Sequence, residues 1–131
     1  MANVFVNTII FVKDINVSKK FYSEILGMKM LHDYETIIFY ENGLTIHLAD
    51  SILKTVYKES KSSALQSQGQ NNILVYFETD KLDELYNKIC DKVKIIHGIE
   101  KQEWGQKVFR FFDPDEHIVE FGEPFHAEEL K

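Results

Sequence analysis

The chain has 131 residues, of which 44% are hydrophobic, and its formal net charge is -6. This length supports one domain with a substantial core, and the composition is that of a globular protein rather than a disordered one. The acidic balance argues against a nucleic-acid partner, which needs a basic face to displace counterions, and against an anionic membrane surface. A small organic ligand or another protein remains open as the partner.

The N-terminal stretch MANVFVNTIIFVKD lacks the basic segment and the small-residue cleavage site of a signal peptide. No apolar run reaches the length that spans a membrane, so we expect a cytoplasmic protein. The single cysteine, Cys90, excludes an intrachain disulfide. Its place in an apolar helical pattern favours a half-buried structural role over a nucleophilic one.

The first half of the chain predicts a strand, a helix and three further strands. Residues 4–14 are rich in β-branched and aromatic residues, which is typical of a strand. Residues 16–27 have helical apolar spacing, with Asn16 as the expected N-cap and Gly27 at the left-handed position that ends the helix. Three strand-like segments follow, MKMLHD, TIIFYE and LTIHLAD, and ENG predicts a hairpin turn between the last two.

The second half repeats this order after a polar segment. Residues 58–72 have the Ser, Gln and Asn content of a linker or mobile loop, and SILKTVY before them suits a short helix. Residues 72–79 predict a strand and residues 80–92 a helix with Asp80 as its N-cap. The last three strands are expected in VKIIHGI, QKVFRFFD and EHIVEFG, with DPDE as the final turn.

This repeated order predicts an α+β fold of two βαβββ modules, in which neither module buries its apolar face alone. We expect the modules to form a curved, half-closed mixed-sheet cup, with one helix on the outer face of each. The domain prediction is a single domain over residues 1–131. It divides into module one at about 1–50, a linker or loop at about 51–71, module two at about 72–124 and a C-terminal tail at 125–131.

Side chains alternate between the two faces of a strand, so the position of a charged residue within an apolar run predicts the face on which it lies. Because the helix must cover an apolar face, we assign Val119 and Phe121 to it, so that Glu120 points into the cup. A concave face that is apolar with a few convergent polar groups suits a small-molecule pocket. The side chains expected to face inward are Asn7, Ile9, Phe11, Thr45, His47, Ala49, Leu74, Tyr76, Glu78, Val108, Arg110, Phe112 and Glu120.

Three segments resemble the vicinal-oxygen-chelate superfamily, also called the glyoxalase/bleomycin-resistance/dioxygenase family. FVKDINVSKKFYSEILGMKM is similar to the family's opening strand, turn and helix, and FETDKLDEL to the start of its second half. DPDEHIVEFGE is similar to the closing segment, in which Glu116 replaces the usual Gly. The resemblance covers almost the whole chain and implies two βαβββ modules, commonly assembled as a homodimer.

In metal-dependent members the resemblance implies one ligand at each of four strand positions, which correspond to Asn7, His47, Leu74 and Glu120. His47 and Glu120 suit divalent transition metals, Asn7 is a weak ligand, and Leu74 cannot bind a metal. This falls short of the three protein ligands of a usual catalytic zinc site. We therefore expect no tightly bound cofactor, with a divalent metal as the alternative. Without a metal, His47 and Glu120 would form a polar pair.

Two further side chains each have two interpretations. Arg110 suits a ligand carboxylate or phosphate, but a salt bridge to Glu120 or Glu78 is at least as good an interpretation. Trp104 lies in a loop that either closes over a flat ligand or packs within the fold or a dimer.

The remaining histidines show no ligand spacing, and we expect them at the surface or at sheet edges. They are His32, His97, His117 and His126.

The preferred hypothesis is a family member that binds a small, flat or aromatic organic molecule without a tightly bound metal. Sequestration and proton transfer, with Glu120 or His47 as the catalytic base, are both open. One alternative is a metal-dependent lyase, isomerase or dioxygenase of glyoxalase type, with His47 and Glu120 as ligands. The other is a structural or regulatory dimer whose cup is filled by its own side chains. The ligand-binding candidates are Asn7, Phe11, Tyr76, Glu78, Trp104, Arg110 and Phe112.

Overall fold

The computed structural model describes residues 2–125, and it divides into two compact units between Gln68 and Gly69. Each unit contains one four-stranded mixed sheet with at least one helix. This confirms the predicted α+β class and the two βαβββ modules, whereas their pairing into one cup stays a prediction. Apart from Phe125, the predicted C-terminal tail lies outside the described residues. None of the helices in the described part is long and apolar enough to cross a membrane.

The sheet of the first unit has the strand order β1-β4-β3-β2. Strand β1 pairs with β4 in parallel, and the other neighbours are antiparallel. Alternate residues such as Ile10, Val12 and Ile46 are buried, as expected for the helix-covered face. The strands are β1 (Ile9–Val12), β2 (Met30–Asp33), β3 (Ile37–Tyr40) and β4 (Thr45–Leu48).

The first strand is shorter than predicted, because β1 covers four residues of the 4–14 segment. Three apolar side chains before it lie outside the sheet and are strongly exposed: Val4, Phe5 and Val6. Residue composition predicts strand propensity, but a strand also needs a neighbour to pair with, and this segment has none in its own sheet.

Helix α1 (Ile15–Lys20) is capped by Asp14, not by Asn16 as predicted. The Asp14 Oδ1 atom accepts the backbone N–H groups of Asn16 and Val17 at 3.0 and 3.2 Å. These N–H groups have no partner within the helix, and the aspartate satisfies them from two and three residues upstream. The helix continues as a π-helical turn at Phe21–Ile25, and Gly27 follows with φ 70°, at the left-handed position that was predicted.

Helix α2 (Ala49–Tyr57) and a 3-10 turn at Ser62–Leu65 occupy much of the segment that was predicted as a linker. The short helix expected in SILKTVY is therefore present and is part of α2. Ala49 was assigned to the inward face of a strand, and this was wrong, since it begins the helix and is fully buried.

The second unit has the strand order β5-β8-β7-β6, with β5 parallel to β8 and the other pairs antiparallel. Its helix α3 covers Leu82–Ile89 and has Lys81 at the N-cap position, so the prediction of Asp80 was wrong by one residue. Thr79 Oγ1 accepts the Lys81 N–H at 3.2 Å. The strands are β5 (Leu74–Glu78), β6 (Lys94–Lys101), β7 (Lys107–Phe112) and β8 (Ile118–Gly122).

One face of this sheet carries a stack of four phenylalanine rings with centroid separations between 4.7 and 6.1 Å. Tyr86 of α3 packs edge-on against Phe109 at 5.1 Å, so this is the helix-covered face. The rings belong to Phe77, Phe109, Phe111 and Phe121. Phe121 was assigned to this face, and the other three alternate along their strands with residues that were assigned to the inward face. By alternation, Tyr76 and Glu120 project from the opposite face of the sheet.

The DPDE turn between β7 and β8 buries a histidine. His117 is 2% exposed, and its Nδ1 lies 2.8 Å from Asp113 Oδ2. The prediction of a surface position was wrong, because the turn bends His117 back onto its own aspartate. Of the other scattered histidines, His32 is exposed and His97 lies on the edge strand β6, as expected, while His126 lies outside the described residues.

Candidate functional site

The face of the second sheet that is not covered by α3 contains a cavity of about 600 Å³. We call it the Tyr76 cavity. It draws on β5, on β8, on the loop before β7 and on the segment after β8, so residues far apart in sequence meet there. Its lining residues are Leu74, Tyr76, Glu78, Trp104, Gln106, Glu120 and Phe125.

Four of these side chains form a directed chain of hydrogen bonds, which we call the Trp104–Glu78 relay. Trp104 Nε1 donates to Gln106 Oε1 at 2.9 Å, and Gln106 Nε2 donates to the Tyr76 hydroxyl at 2.8 Å. The Tyr76 hydroxyl in turn donates to Glu78 Oε2 at 2.5 Å. The second hydrogen of the Gln106 amide is used by the backbone oxygen of Glu123 at 2.8 Å. Each group in the relay therefore has a fixed orientation.

Gln106 is the member of the relay that sequence reasoning missed. It is 4% exposed, and Gly122 on β8 leaves the space that it occupies. A Cβ atom at Gly122 would lie 2.4 Å from Gln106 Nε2. A glutamine before a strand gives no signal of burial, because the two groups that its amide N–H bonds reach are 17 and 30 positions away in the chain.

The Tyr76 hydroxyl remains a neutral donor at ordinary pH. Burial raises its pKa above 10.0, the hydrogen bond to Glu78 raises it further, and the Gln106 amide lowers it. Loss of the proton would place a phenolate against a carboxylate, so the relay favours the neutral tyrosine.

Arg110 and Glu120 form an ion pair beside the cavity, with Arg110 Nε 2.6 Å from Glu120 Oε1. The two residues are register partners on β7 and β8. The guanidinium also contacts His97 Nε2 at 3.0 Å and donates to Gln102 Oε1 at 3.2 Å. Since His97 Nδ1 lies 2.7 Å from the Gly98 carbonyl, the fitting tautomer donates from Nδ1 and accepts from Arg110 at Nε2. Of the two interpretations of Arg110, the structure therefore shows the salt bridge to Glu120. Arg110 is not among the residues that line the Tyr76 cavity.

Three sequence candidates lie in the first unit. His47 occupies β4 in register with Phe11, and its Nδ1 is 3.2 Å from the Leu48 carbonyl and 3.5 Å from Ser51 Oγ. The carbonyl oxygen can only accept, so Nδ1 is the donor in this contact. Asn7 Nδ2 donates to Thr45 Oγ1 at 3.0 Å.

The structure thus brings together four of the site candidates at one cavity, namely Tyr76, Glu78, Trp104 and Glu120. Leu74, which was assigned to the inward face but cannot bind a metal, lines the same cavity. Arg110 and Phe112 lie on the same strand β7, and the Phe112 ring is covered by Lys94 with Nζ 5.3 Å from the ring centroid. The polar pair between His47 and Glu120 stays a prediction, as do the roles of Asn7 and Phe11 in ligand binding.

The residues at the four positions implied for a metal do not make a full donor set. Leu74 offers hydrocarbon, and Glu120 Oε1 already accepts a hydrogen bond from the Arg110 guanidinium, whose positive charge opposes a cation there. Among residues 2–125, no group of three or more His, Cys, Asp and Glu side chains is arranged to hold a metal ion. The donor chemistry of these positions therefore does not fit a tightly held resident metal.

Comparison with known proteins gives one family match. The model of a family described as "Glyoxalase-like domain" matches residues 5–126. A crystal structure of a protein of unknown function from Agrobacterium tumefaciens superposes with a TM-score of 0.89 at 42% identity, and the match covers 95% of this chain and 97% of that one.

Two curated relatives are each 29% identical to this chain. One is an uncharacterized protein, YraH, from Bacillus subtilis, with 85% of this chain and 91% of the relative covered. The other is the metallothiol transferase FosB from Lysinibacillus sphaericus, with 88% of this chain and 79% of the relative covered.

Proposed function

Because the chain belongs to the glyoxalase-like domain family, within the glyoxalase/bleomycin-resistance/dioxygenase superfamily, we propose that it binds a small organic molecule in the Tyr76 cavity. The ligand would be flat or aromatic, and no tightly bound metal would take part. The observation that carries this proposal is the cavity itself, in which an apolar wall meets an oriented set of polar groups.

The size and the chemistry of the cavity support a small ligand. Its volume of about 600 Å³ lies within the usual range for small-molecule pockets. Leu74, Trp104 and Phe125 supply apolar surface, and Leu74 and Trp104 are about half exposed, so their surface is open to a ligand. A flat molecule would cover these side chains and remove apolar area from water.

The relay would make this wall rigid before the ligand arrives. Trp104 is held through its indole N–H by a glutamine that is itself buried and fully hydrogen-bonded. A side chain that is ordered in the free protein loses less conformational entropy on binding, which improves affinity.

Intrinsic fluorescence tests the proposal directly, because Trp104 is the only tryptophan in the sequence. We expect flat aromatic probes such as quinoline to change Trp104 emission with a saturable titration curve. The Leu74→Ala variant should bind such a probe about tenfold more weakly, because much of one leucine contact is lost. Leu31→Ala is the matched control, since Leu31 is a similarly exposed leucine on β2, and it should bind as the wild type does. Equal affinity in all three proteins, or no saturable response, would contradict the proposal.

The metal-dependent alternative has one specific observation in its favour, the relative described as a metallothiol transferase. It assigns His47 and Glu120 as ligands and a lyase, isomerase or dioxygenase reaction of glyoxalase type. Elemental analysis of the purified protein decides between the two. A stoichiometric metal that is lost in Glu120→Ala would support the alternative, and metal-free protein that binds aromatic probes would support the proposal.

We also propose that the protein is a homodimer, as the resemblance implies. The exposed apolar residues before β1 support this, because single-chain proteins rarely expose several large apolar side chains together. The cytoplasmic location, the proton-transfer role of Glu120 or His47, and the alternative of a structural dimer with a filled cup remain predictions from the sequence.

A further inference from the structure

We propose that the Tyr76 cavity selects an organic cation, such as a protonated aromatic amine or an N-alkylated heteroaromatic ring. This inference rests on the proposed small-molecule function and adds the charge of the ligand to it. Three features of the cavity lead to it: the charge of its walls, the use of its hydrogen-bond donors, and its aromatic surface.

The walls of the cavity carry negative charge. Of the seven lining residues within the described chain, two are glutamates, and none is a lysine or an arginine. Glu120 is neutralised by Arg110 at 2.6 Å, whereas Glu78 accepts the uncharged hydroxyl of Tyr76 at 2.5 Å. Glu78 therefore contributes an exposed negative charge that its hydrogen bond does not cancel, and a carboxylate has room for several further donors.

The side-chain donors of the cavity are already used. Trp104 donates its N–H to Gln106, Gln106 donates one hydrogen to Tyr76 and the other to a backbone oxygen, and Tyr76 donates to Glu78. An anionic ligand needs such donors to replace its hydration, and it would have to break the relay to obtain them. A cationic ligand needs acceptors instead, and the carboxylate of Glu78 is an acceptor.

The aromatic surface of the cavity favours the same ligand. Trp104, Tyr76 and Phe125 all line it, and Trp104 and Tyr76 are 48% and 46% exposed. Because the polar edge of Trp104 is held by Gln106, its exposed surface includes the ring itself. Aromatic faces attract cations that lie within about 6 Å, and tryptophan does so most strongly.

A set of three flat probes of similar size tests the charge preference. The probes are 1-methylquinolinium, which is a cation, quinoline, which is neutral at neutral pH, and naphthalene-2-carboxylate, which is an anion. Dissociation constants are taken from the midpoints of Trp104 fluorescence titrations at low ionic strength. We expect the cation to bind about tenfold more tightly than quinoline, and the carboxylate to bind more weakly than either. Added salt should weaken the binding of the cation and leave the affinity for quinoline unchanged.

Two glutamate variants locate the source of the preference. Glu78→Gln keeps a hydrogen-bond acceptor for Tyr76 but removes the charge, so the ratio of the quinoline dissociation constant to that of the cation should fall about tenfold. Glu84→Gln makes the same change in net charge on the exposed surface of α3, which covers the opposite face of the sheet, and should keep the full preference. This control separates Glu78 from the overall charge of -6.

The outcomes distinguish the two proposals. Equal binding of the cation and quinoline, tighter binding of the carboxylate, or an unchanged preference in Glu78→Gln would overturn the cation inference while leaving the small-molecule function standing. Binding of none of the three probes would overturn both.

Discussion

At the scale of single residues, the candidate site depends on a glutamine that connects side chains with more obvious chemistry. Tyr76, Glu78 and Trp104 are ordinary candidates for an inward-facing pocket, and the structure places all three at one cavity. Gln106 decides how they are oriented, since its amide accepts from the indole and donates to the phenol. Glu78 is the last group of the relay, and its carboxylate accepts a hydrogen bond from Tyr76 without donating one.

Tyr76 should lose its proton at a higher pH than an ordinary tyrosine. Burial and the Glu78 hydrogen bond raise the Tyr76 pKa above 10.0. In an alkaline titration, the difference in phenolate absorbance between the wild type and Tyr76→Phe should therefore appear at a pH above 10.0. In Glu78→Gln the Tyr76 pKa should fall, because the nearby carboxylate is gone. Phenolate absorbance against pH measures both effects, and an unchanged titration in Glu78→Gln would contradict the contact.

The sign of the associated stability effect follows from the raised pKa. The folded state holds the Tyr76 proton more tightly than the unfolded state does. Its contribution to stability is therefore complete below pH 10.0 and is lost as the pH rises through the folded-state pKa. Denaturation at neutral pH should show no dependence on pH from this group.

At the scale of secondary-structure elements, strand register decides which charges meet. Arg110 on β7 lies opposite Glu120 on β8 and opposite His97 on β6, so three neighbouring strands contribute to one polar row. This explains how apolar strands tolerate charges in mid-run: the charges share the face that α3 does not cover, and the ion pair reduces the cost of burying Glu120. The end of β8 provides a second contact between distant segments, because Gly122 leaves space for the side chain of Gln106.

Gly122→Ala should disturb the packing of Gln106 against β8. The new methyl group would meet the movable end of Gln106, so Gln106 should move away and release Trp104. We expect Trp104 emission to shift to longer wavelength as the indole becomes more mobile and hydrated, and quinoline binding to weaken about tenfold. The free energy of unfolding should fall by no more than about 2 kcal/mol, since the clash is with a flexible side chain.

Gly98→Ala is a useful control for Gly122→Ala. Gly98 lies on β6, and a Cβ there would approach the Tyr86 hydroxyl at 3.2 Å, away from the Tyr76 cavity. This variant tests whether a methyl group added elsewhere in the same sheet also shifts the emission of Trp104. Equal emission shifts in both variants would mean that Gln106 does not position the indole.

At the scale of the whole molecule, the chain has two units of the same βαβββ order, and the described candidate cavity belongs to the second. The first unit contributes the exposed segment before β1, in which Phe5 is 82% exposed. Such a segment suits the interface of the proposed homodimer.

We expect light scattering coupled to size-exclusion chromatography to give the mass of a dimer. Phe5→Ser should shift the equilibrium toward the 15.4 kDa monomer, because a large aromatic contact is lost from the interface. Leu65→Ser is the matched control, since Leu65 is also a strongly exposed apolar residue, and it should leave the dimer intact. A monomeric wild type, or equal effects of the two substitutions, would contradict the assignment of this segment.

The order of strands and helices, the α+β class and the helix-covered faces were all predictable from the sequence, because they follow from local periodicity and turn chemistry. Val119 and Phe121 were assigned to the helix side, and Glu120 to the other, by alternation alone. The same information predicted Gly27 at a helix end, since a left-handed residue there is a local requirement. The family resemblance in three motifs implied the same repeated module.

Tertiary structure alone decided which side chains meet. His117 is buried because a turn returns it to Asp113, and Gln106 is buried because β5 and the end of β8 close around it. A salt bridge of Arg110 to Glu120 or Glu78 was one of the two interpretations from the sequence, and the register of β7 and β8 decided for Glu120 by bringing Arg110 opposite it. Periodicity reports on which face of an element a residue lies, whereas these contacts depend on pairing between distant segments, whose energy no local pattern in the sequence contains.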